Sequence, residues 1–387
     1  MPMESTSPIP NISMPKGGGA LQGIGETFSP DLFTGTGNFT VPIALPSGRN
    51  DFQPSVTLVY SSGNGNSPFG LGWQLSIPGV ARKTSDGIPR YQDTDDTFVL
   101  SGAEDLIPVG GDFPGIVRYR PRTEGLFARI EYHRDADNSH WVVHAGDGLI
   151  STYGTPNRFN AESDAVAESA DIADPASPER IFSWMLTDTR DPFGNRIRYE
   201  YERDPTHVDN EWAQLYLSRI LYVDVAEPPA GGEPFLCLRR IYVCRSPNPF
   251  SNHRSGFQIR TTRRCERIEV RTHNTGESRL VRSYRLIYLD QRIPSQDGIS
   301  DADSIEIAGI PNAPVNPSAL PISGVSMLSQ IHVIGHDDTQ PLPEQRTQRL
   351  PPLEFGYACF SPHGRAFFPL QGRALPAQAL SNPGWNS

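Results

Sequence analysis

The chain has 387 residues and a formal net charge of −10, from 44 acidic against 34 basic residues, and every basic residue except Lys16 and Lys83 is an arginine. That balance argues against a nucleic-acid binder that works by neutralising phosphates, and no run approaches the roughly 18 apolar residues of a membrane span. With 37% hydrophobic residues, 35 glycines and 37 prolines, the composition predicts many short strands joined by many turns, in a chain long enough to bury a sizeable core.

Residues 1–16, with prolines at 8, 10 and 15, predict a flexible arm without the basic start and apolar core of a secretory leader. PSVTLVYSS then sets Val56, Leu58 and Tyr60 against Ser55, Thr57 and Val59, the period of two of a half-buried strand. It runs into GNGNSPFGLGW, residues 63–73. Gly63, Asn64, Gly65 and Asn66 are expected to supply positive φ for a tight turn there, while Gly70 and Gly72 let the backbone pass close to the ring of Trp73. The spacing fits neither GxxxxGKS/T nor a GxGxxG leading into a helix, so no phosphate cradle is expected.

Further along, RIEYH alternates on Ile130 and Tyr132, and the acidic, aromatic-poor NAESDAVAESADIADPASPE predicts a surface loop over 160–180. After a turn at Gly194 and Asn195, NRIRYEYER places Ile197, Tyr199 and Tyr201 on one face and Arg198, Glu200 and Glu202 on the other. LSRILYVDV and FLCLRRIYVC are apolar on both faces, as strands covered on both sides would be. RSYRLIYL alternates again on Tyr284, Leu286 and Tyr288. A second loop is expected over 295–321, and residues 358–387 lack strand character. Turns at Asp86-Gly87, Asp147-Gly148 and Gly194-Asn195 suggest consecutive hairpins, hence an antiparallel meander with little helix.

Few residues suggest chemistry. Glu200-Tyr201-Glu202 matches the E-x-E pair of ADP-ribosyltransferases, with Arg49 and Tyr60-Ser61-Ser62 as conceivable partners, but a solvated cross-strand charge ladder with Arg198 explains the same residues. His140 and His144 lie on one face of a strand, about 13 Å apart and too far to share a metal unaided. No HExxH, Cys/His cluster or EF-hand loop is present, so neither metal nor cofactor is expected. Cys237, Cys244, Cys265 and Cys359 show no CxxC and are expected to be free, buried thiols.

KGGGALQGIGETF, the segment from TGTGNFTVPIALPSG through YSSGNGNSPFGLGWQLSIPGVARKTSDGIPRY, and DDTFVLSGAEDLIPV occur in an order that resembles the N-terminal domain shared by Salmonella virulence plasmid B (SpvB) proteins and the B components of bacterial insecticidal toxin complexes. RYRPRTEGLFARIEYH, DPFGNRIRYEYERD, IRTTRRCERIEVRTH and LPPLEFGY extend the likeness to about Tyr357, and DPFGNRIRYEY is also similar to the tyrosine-aspartate (YD) repeat of Rhs proteins.

The resemblance implies an all-β fold: a large, curved, mostly antiparallel sheet forming an Rhs-like shell segment over residues 17–357, with 358–387 a tail or linker toward a propeller missing from this sequence. It implies a non-catalytic wall section of a secreted toxin, not an enzyme, that encloses or delivers an effector without inserting into a membrane. The partners implied are a C-type Rhs component and an A-type translocation component, or a fused effector domain. Export would proceed without a classical signal peptide. Gly70, Gly72 and Gly194 would fix the bends, and Trp73, Tyr199, Tyr201, Phe355 and Tyr357 would hold the layers together. Two other readings stay open: a secreted adhesin or carbohydrate-binding β module, and an ADP-ribosyltransferase acting through Glu200 and Glu202.

Overall fold

The computed structural model of the chain describes residues 24–31, 35–101, 104–123, 127–135, 138–155, 170–204, 213–224, 235–274, 277–292, 325–337 and 347–357. The expected arm over 1–16, the loop over 295–321 and the tail over 358–387 lie outside the described residues. Among the described residues all regular structure is strand, apart from two short 3-10 turns at Arg49–Asp51 and Leu289–Arg292.

The first four strands, β1 (Thr27–Asp31), β2 (Thr36–Pro42), β3 (Thr57–Ser61) and β4 (Trp73–Leu75), form an antiparallel sheet in chain order. Next come β5 (Gly79–Arg82), β6 (Phe98–Leu100), β7 (Glu104–Phe113), β8 (Ile116–Pro121), β9 (Arg129–Asp135), β10 (Asn138–His144), β11 (Ile150–Tyr153), β12 (Asp171–Asp174) and β13 (Ser177–Arg190). Each of β5 to β10 pairs with its successor; β11 then pairs with β13, and β13 returns to β5 through Ser183↔Ala81, Trp184↔Val80 and Met185↔Gly79. An eight-stranded antiparallel barrel results.

Side chains fill that barrel, as expected at eight strands. Phe98, Tyr119, Tyr132, Trp141 and Trp184 come from five strands of the ring, so they can meet only inside it. Phe98 lies 4.9 Å from Trp141 and 5.8 Å from Trp184, and Tyr132 stacks on Trp141 at 4.5 Å. Phe98, Trp141 and Trp184 are fully buried. Arg82 is buried beside this cluster, its guanidinium 4.9 Å from the Phe98 ring centroid. It donates to Asp93, Asp96 and the Ile181 carbonyl, at 2.8 Å each, so the buried charge is fully compensated.

The 14-residue β13 belongs to two structures at once. Its middle closes the barrel against β5, while its C-terminal end pairs with β14 (Arg196–Arg203) through Asp188↔Arg198, Thr189↔Ile197 and Arg190↔Arg196. From there β15 (Leu215–Asp224), β16 (Phe235–Asn252), β17 (Ile259–Asn274), β18 (Glu277–Tyr288) and β19 (Leu328–His336) continue an open antiparallel meander, and the short β20 (Thr347–Arg349) and β21 (Leu353–Glu354) both pair with β19. The β1–β4 sheet covers one face of this meander. Val41, Leu58 and Trp73 pack there with Ile268, Val270, Tyr284, Leu286 and Val333 in a second core, and the Tyr284 hydroxyl accepts the Ala44 N–H at 2.9 Å.

Three expectations change. The loop predicted over 160–180 ends before 170: residues 160–169 lie outside the described set, but Asp171–Asp174 is a strand and β13 begins at Ser177. Its acidic residues are matched locally, Asp174 by Arg180 at 2.7 Å, while Ile172 and Ile181 are buried. FLCLRRIYVC is not covered on both sides where its side chains are described, since Ile241 is buried while Tyr242, Val243 and Cys244 are partly exposed. Cys265 is buried, but Cys244 is only half-buried, and neither forms a disulfide.

Candidate functional site

The glycine-rich stretch joins β3 to β4 and is tied to the facing meander, where the Cys265 N–H donates to the Pro68 carbonyl at 2.7 Å and the Leu71 N–H donates to the Ser326 carbonyl at 2.9 Å. Positive φ falls on Gly70 (+101°) and Gly72 (+81°), not on Gly63 or Gly65. A Cβ on Gly72 would sit 2.4 Å from Tyr60 Cε2 and 3.0 Å from the Ser61 carbonyl oxygen, and one on Gly70 would sit 3.0 Å from the Ser326 carbonyl oxygen. The bare backbone therefore admits the Tyr60 ring and the chain before β19. Gly65 contributes its carbonyl, which accepts the Gly72 N–H at 3.0 Å, and a Cβ on Gly63 would lie 3.2 Å from the Thr36 methyl.

The turn delivers Trp73, fully buried, between Tyr60 (5.3 Å between ring centroids) and Phe355 (4.8 Å). Trp73 Nε1 donates to Tyr357 Oη at 3.2 Å, and that hydroxyl donates to the Leu328 carbonyl at 2.7 Å. One relay thus ties β4 to β19. Burial pushes the Tyr357 phenol up to about 12, against a smaller downward effect of the Trp73 hydrogen bond.

The second set of predicted residues lies at the β13–β14 turn. Gly194 has φ +88° with nothing within 4 Å of an added Cβ, so only its conformation calls for glycine. Asp191 organises the turn: Oδ1 accepts the N–H groups of Phe193 (2.9 Å) and Asn195 (2.8 Å), and Oδ2 accepts Asn195 Nδ2 at 2.6 Å. Tyr199 is buried in the first core, and Tyr201 donates to the Leu186 carbonyl at 2.9 Å. Burial holds the Tyr201 phenol far above its ordinary range.

Glu200 and Glu202 line an open cleft of about 570 Å³ on the uncovered face of the meander, with Ser218, Arg219, Arg240, Tyr242 and Arg263. Glu200 is held by Arg219 Nη2 at 2.5 Å and Arg198 Nε at 3.5 Å, and Glu202 accepts the Ser218 hydroxyl at 2.7 Å. The lining does not include Arg49, Ser61 or Ser62, so the residues set beside the E-x-E pair in the sequence are not brought to it. His140 stacks on His133 at 4.7 Å, whereas His144 sits 3.8 Å from Glu131 and 3.1 Å from Arg129. Among the described residues no group of three His, Cys, Asp or Glu could hold a metal ion.

Sequence reasoning missed two features. Arg82 and its carboxylates are one, for which nothing in GVARKTSDG signals burial. The other is the arginine content of the uncovered face, visible only as the alternating arginines of RRCERIEVR once the opposite face is known to be core.

Residues 32–228 match the family profile of the Salmonella virulence plasmid 65kDa B protein, SpvB. The chain is 28% identical over 365 residues to a mono(ADP-ribosyl)transferase SpvB of Salmonella typhimurium and 28% identical over 366 residues to that of Salmonella choleraesuis, covering 78% and 79% of this chain. It spans 58% of the length of either relative. Among solved structures, TcdB2-TccC3 superposes with a TM-score of 0.66 at 24% identity, over 92% of this chain and 18% of that one. The N-terminal domain of the effector SpvB from Salmonella typhimurium strain LT2 gives 0.53 at 28% identity, over 64% of this chain and 93% of that one. The expectation that the protein is not an enzyme is corrected by these relatives, which carry an enzyme's name.

Proposed function

Because this chain belongs to the SpvB family of Salmonella virulence plasmid 65kDa B proteins, we propose that it is the β-structured part of a secreted bacterial toxin, a wall section that encloses or delivers an effector. The supporting observation is the superposition of 92% of the chain on TcdB2-TccC3. The architecture suits the role. A barrel filled by aromatic side chains is a rigid block rather than a pore, and the meander that leaves it through β13 is sealed on one face by β1–β4. The other face is left to meet something else.

The partners proposed are an Rhs-type C component that completes the enclosure and an A-type translocation component, or an effector domain on the same polypeptide. Co-expression of the full chain with a C component tests this. The expected result is co-elution in one particle in which the C component's effector segment resists a protease that digests it when the C component is alone. Separate elution, with the effector segment equally digested in both samples, refutes the proposal.

A further inference from the structure

The uncovered face of the meander carries a charge opposite to that of the chain as a whole. Ile220, Ile241, Ile268, Tyr284 and Leu286 point to the cores, so the alternate residues of β14 to β18 point outward: Arg198 and Glu200, Arg219, Arg240 and Tyr242, Arg267, Glu269 and Arg271, and Arg285. Arg263 lines the cleft on the same face. Seven arginines thus stand against Glu200, Glu202 and Glu269, in a protein whose net charge is −10.

Internal pairing accounts for only part of them. Glu269 is shared by Arg267 and Arg271, at 2.9 and 2.8 Å, and Glu200 is held by Arg219 and Arg198. Among the described residues no carboxylate pairs with Arg240, Arg263 or Arg285. Arginines also stand directly opposite one another across neighbouring strands at Arg219↔Arg240, Arg267↔Arg285 and Arg245↔Arg263. Like charges in that position destabilise a sheet, and an anion seated between Arg219 and Arg240, or between Arg267 and Arg285, on the outward face would relieve them.

We propose that this face docks an extended, acidic stretch of polypeptide. Guanidinium groups one strand spacing apart, about 4.8 Å, offer paired donors to successive carboxylates. Two observations favour polypeptide over nucleic acid. The Tyr242 ring is already covered, with the Arg267 guanidinium 4.5 Å and that of Arg240 5.9 Å from its centroid, which removes the stacking platform that single strands use. An apolar cavity of about 270 Å³, lined by Phe69, Leu75, Ile77 and Leu217, shares Tyr201, Ile241 and Val243 with the arginine cleft and suits an aliphatic side chain. The proposal rests on the wall reading only in taking a polypeptide as the enclosed or neighbouring partner.

Fluorescence anisotropy with the full chain and a labelled oligoglutamate tests it, with oligolysine and oligothymidine as comparison probes. Oligoglutamate is expected to bind at low salt and to be released at high salt, with little binding of the other two. The Arg240→Gln/Arg285→Gln pair should weaken binding by at least about fivefold, and Arg90→Gln, outside this face, should leave it unchanged. The double variant should also melt no lower than the parent, because two like-charge oppositions are gone; Arg263→Gln provides an independent substitution on the same face. Absence of oligoglutamate binding, equal binding by the double variant, or equally tight capture of oligothymidine overturns the proposal. Such a failure alongside intact co-elution with a C component would leave the wall reading in place, and the reverse outcome would remove the wall reading alone.

Discussion

Replacing Gly72 by alanine tests the turn directly, because two separable penalties meet at one position. The φ of +81° places an L-residue in the left-handed region, at roughly 1–2 kcal/mol. The added methyl would also overlap the Tyr60 ring at 2.4 and 2.9 Å, and Tyr60 is wedged against Trp73 with ring centroids 5.3 Å apart, so the ring cannot swing away without disturbing the core. Overpacking of that kind adds about 1–3 kcal/mol, for a total on the order of 2–5 kcal/mol. Gly194→Ala is the internal control: its φ of +88° carries the conformational penalty, but an added Cβ meets nothing within 4 Å. Urea unfolding followed by tryptophan fluorescence should therefore rank Gly72→Ala below Gly194→Ala, by about the overpacking increment. Equal midpoints would refute the close-approach argument and leave conformation as the only reason for glycine at either site.

Tyr357→Phe removes both hydrogen bonds of the relay from Trp73 to the Leu328 carbonyl and should lower stability by about 1–3 kcal/mol in the same assay, since it leaves a buried indole N–H without its partner. Arg82→Leu leaves Asp93 to Arg134 alone and Asp96 to the Arg90 and Tyr91 N–H groups alone, and should cost up to about 3–5 kcal/mol, whereas the triple change Arg82→Leu/Asp93→Asn/Asp96→Asn should recover part of that loss in thermal melts. Tyr91, Tyr119, Tyr153 and Tyr357 have phenols raised to about 12, chiefly by burial, above an ordinary value of 10. A group raised on folding contributes stability that is whole below its unfolded value and lost as pH climbs through the folded one. Stability should thus hold to about pH 10 and fall toward pH 12, with the phenolate absorbance of these residues appearing together with unfolding rather than before it.

Local alternation carried most of the strand assignments. Ile197 and Tyr199 against Arg198 and Glu200, and Tyr284 and Leu286 against Arg285, put one parity in the core and the other at least partly in solvent, and this pattern is visible without any partner strand. Barrel closure was not visible. It depends on β5 and β6, four and three residues long, too short to show a period, and on pairing between residues about a hundred positions apart, such as Ala81 with Ser183. The glycines were recognisable as sites of close approach, but what approaches Gly72 is Tyr60, a ring from the preceding strand, and a sequence does not say which neighbour fills the space left by a missing Cβ. The E-x-E pair shows the same limit: its chemistry depends on whether Arg49 and Ser61 share its cleft, which is a matter of tertiary placement alone.

The double use of β13 explains why barrel and meander should behave as one body. Leu186 lies in the core that fills the barrel, its carbonyl accepts the Tyr201 hydroxyl of β14, and two residues later Asp188 already pairs with Arg198 of that strand. Backbone hydrogen bonding continues along one strand from the closed ring into the open sheet, with no flexible connection between them at that point. A wall section has to transmit load in this way, since a filled barrel hinged loosely to its sheet would let the enclosing surface change curvature under pressure from its contents. Interior packing resists compression and passes strain to its neighbours, so a shared, hydrogen-bonded strand with a buried residue in the barrel core is the arrangement that makes the arginine face a fixed surface rather than a flexible one.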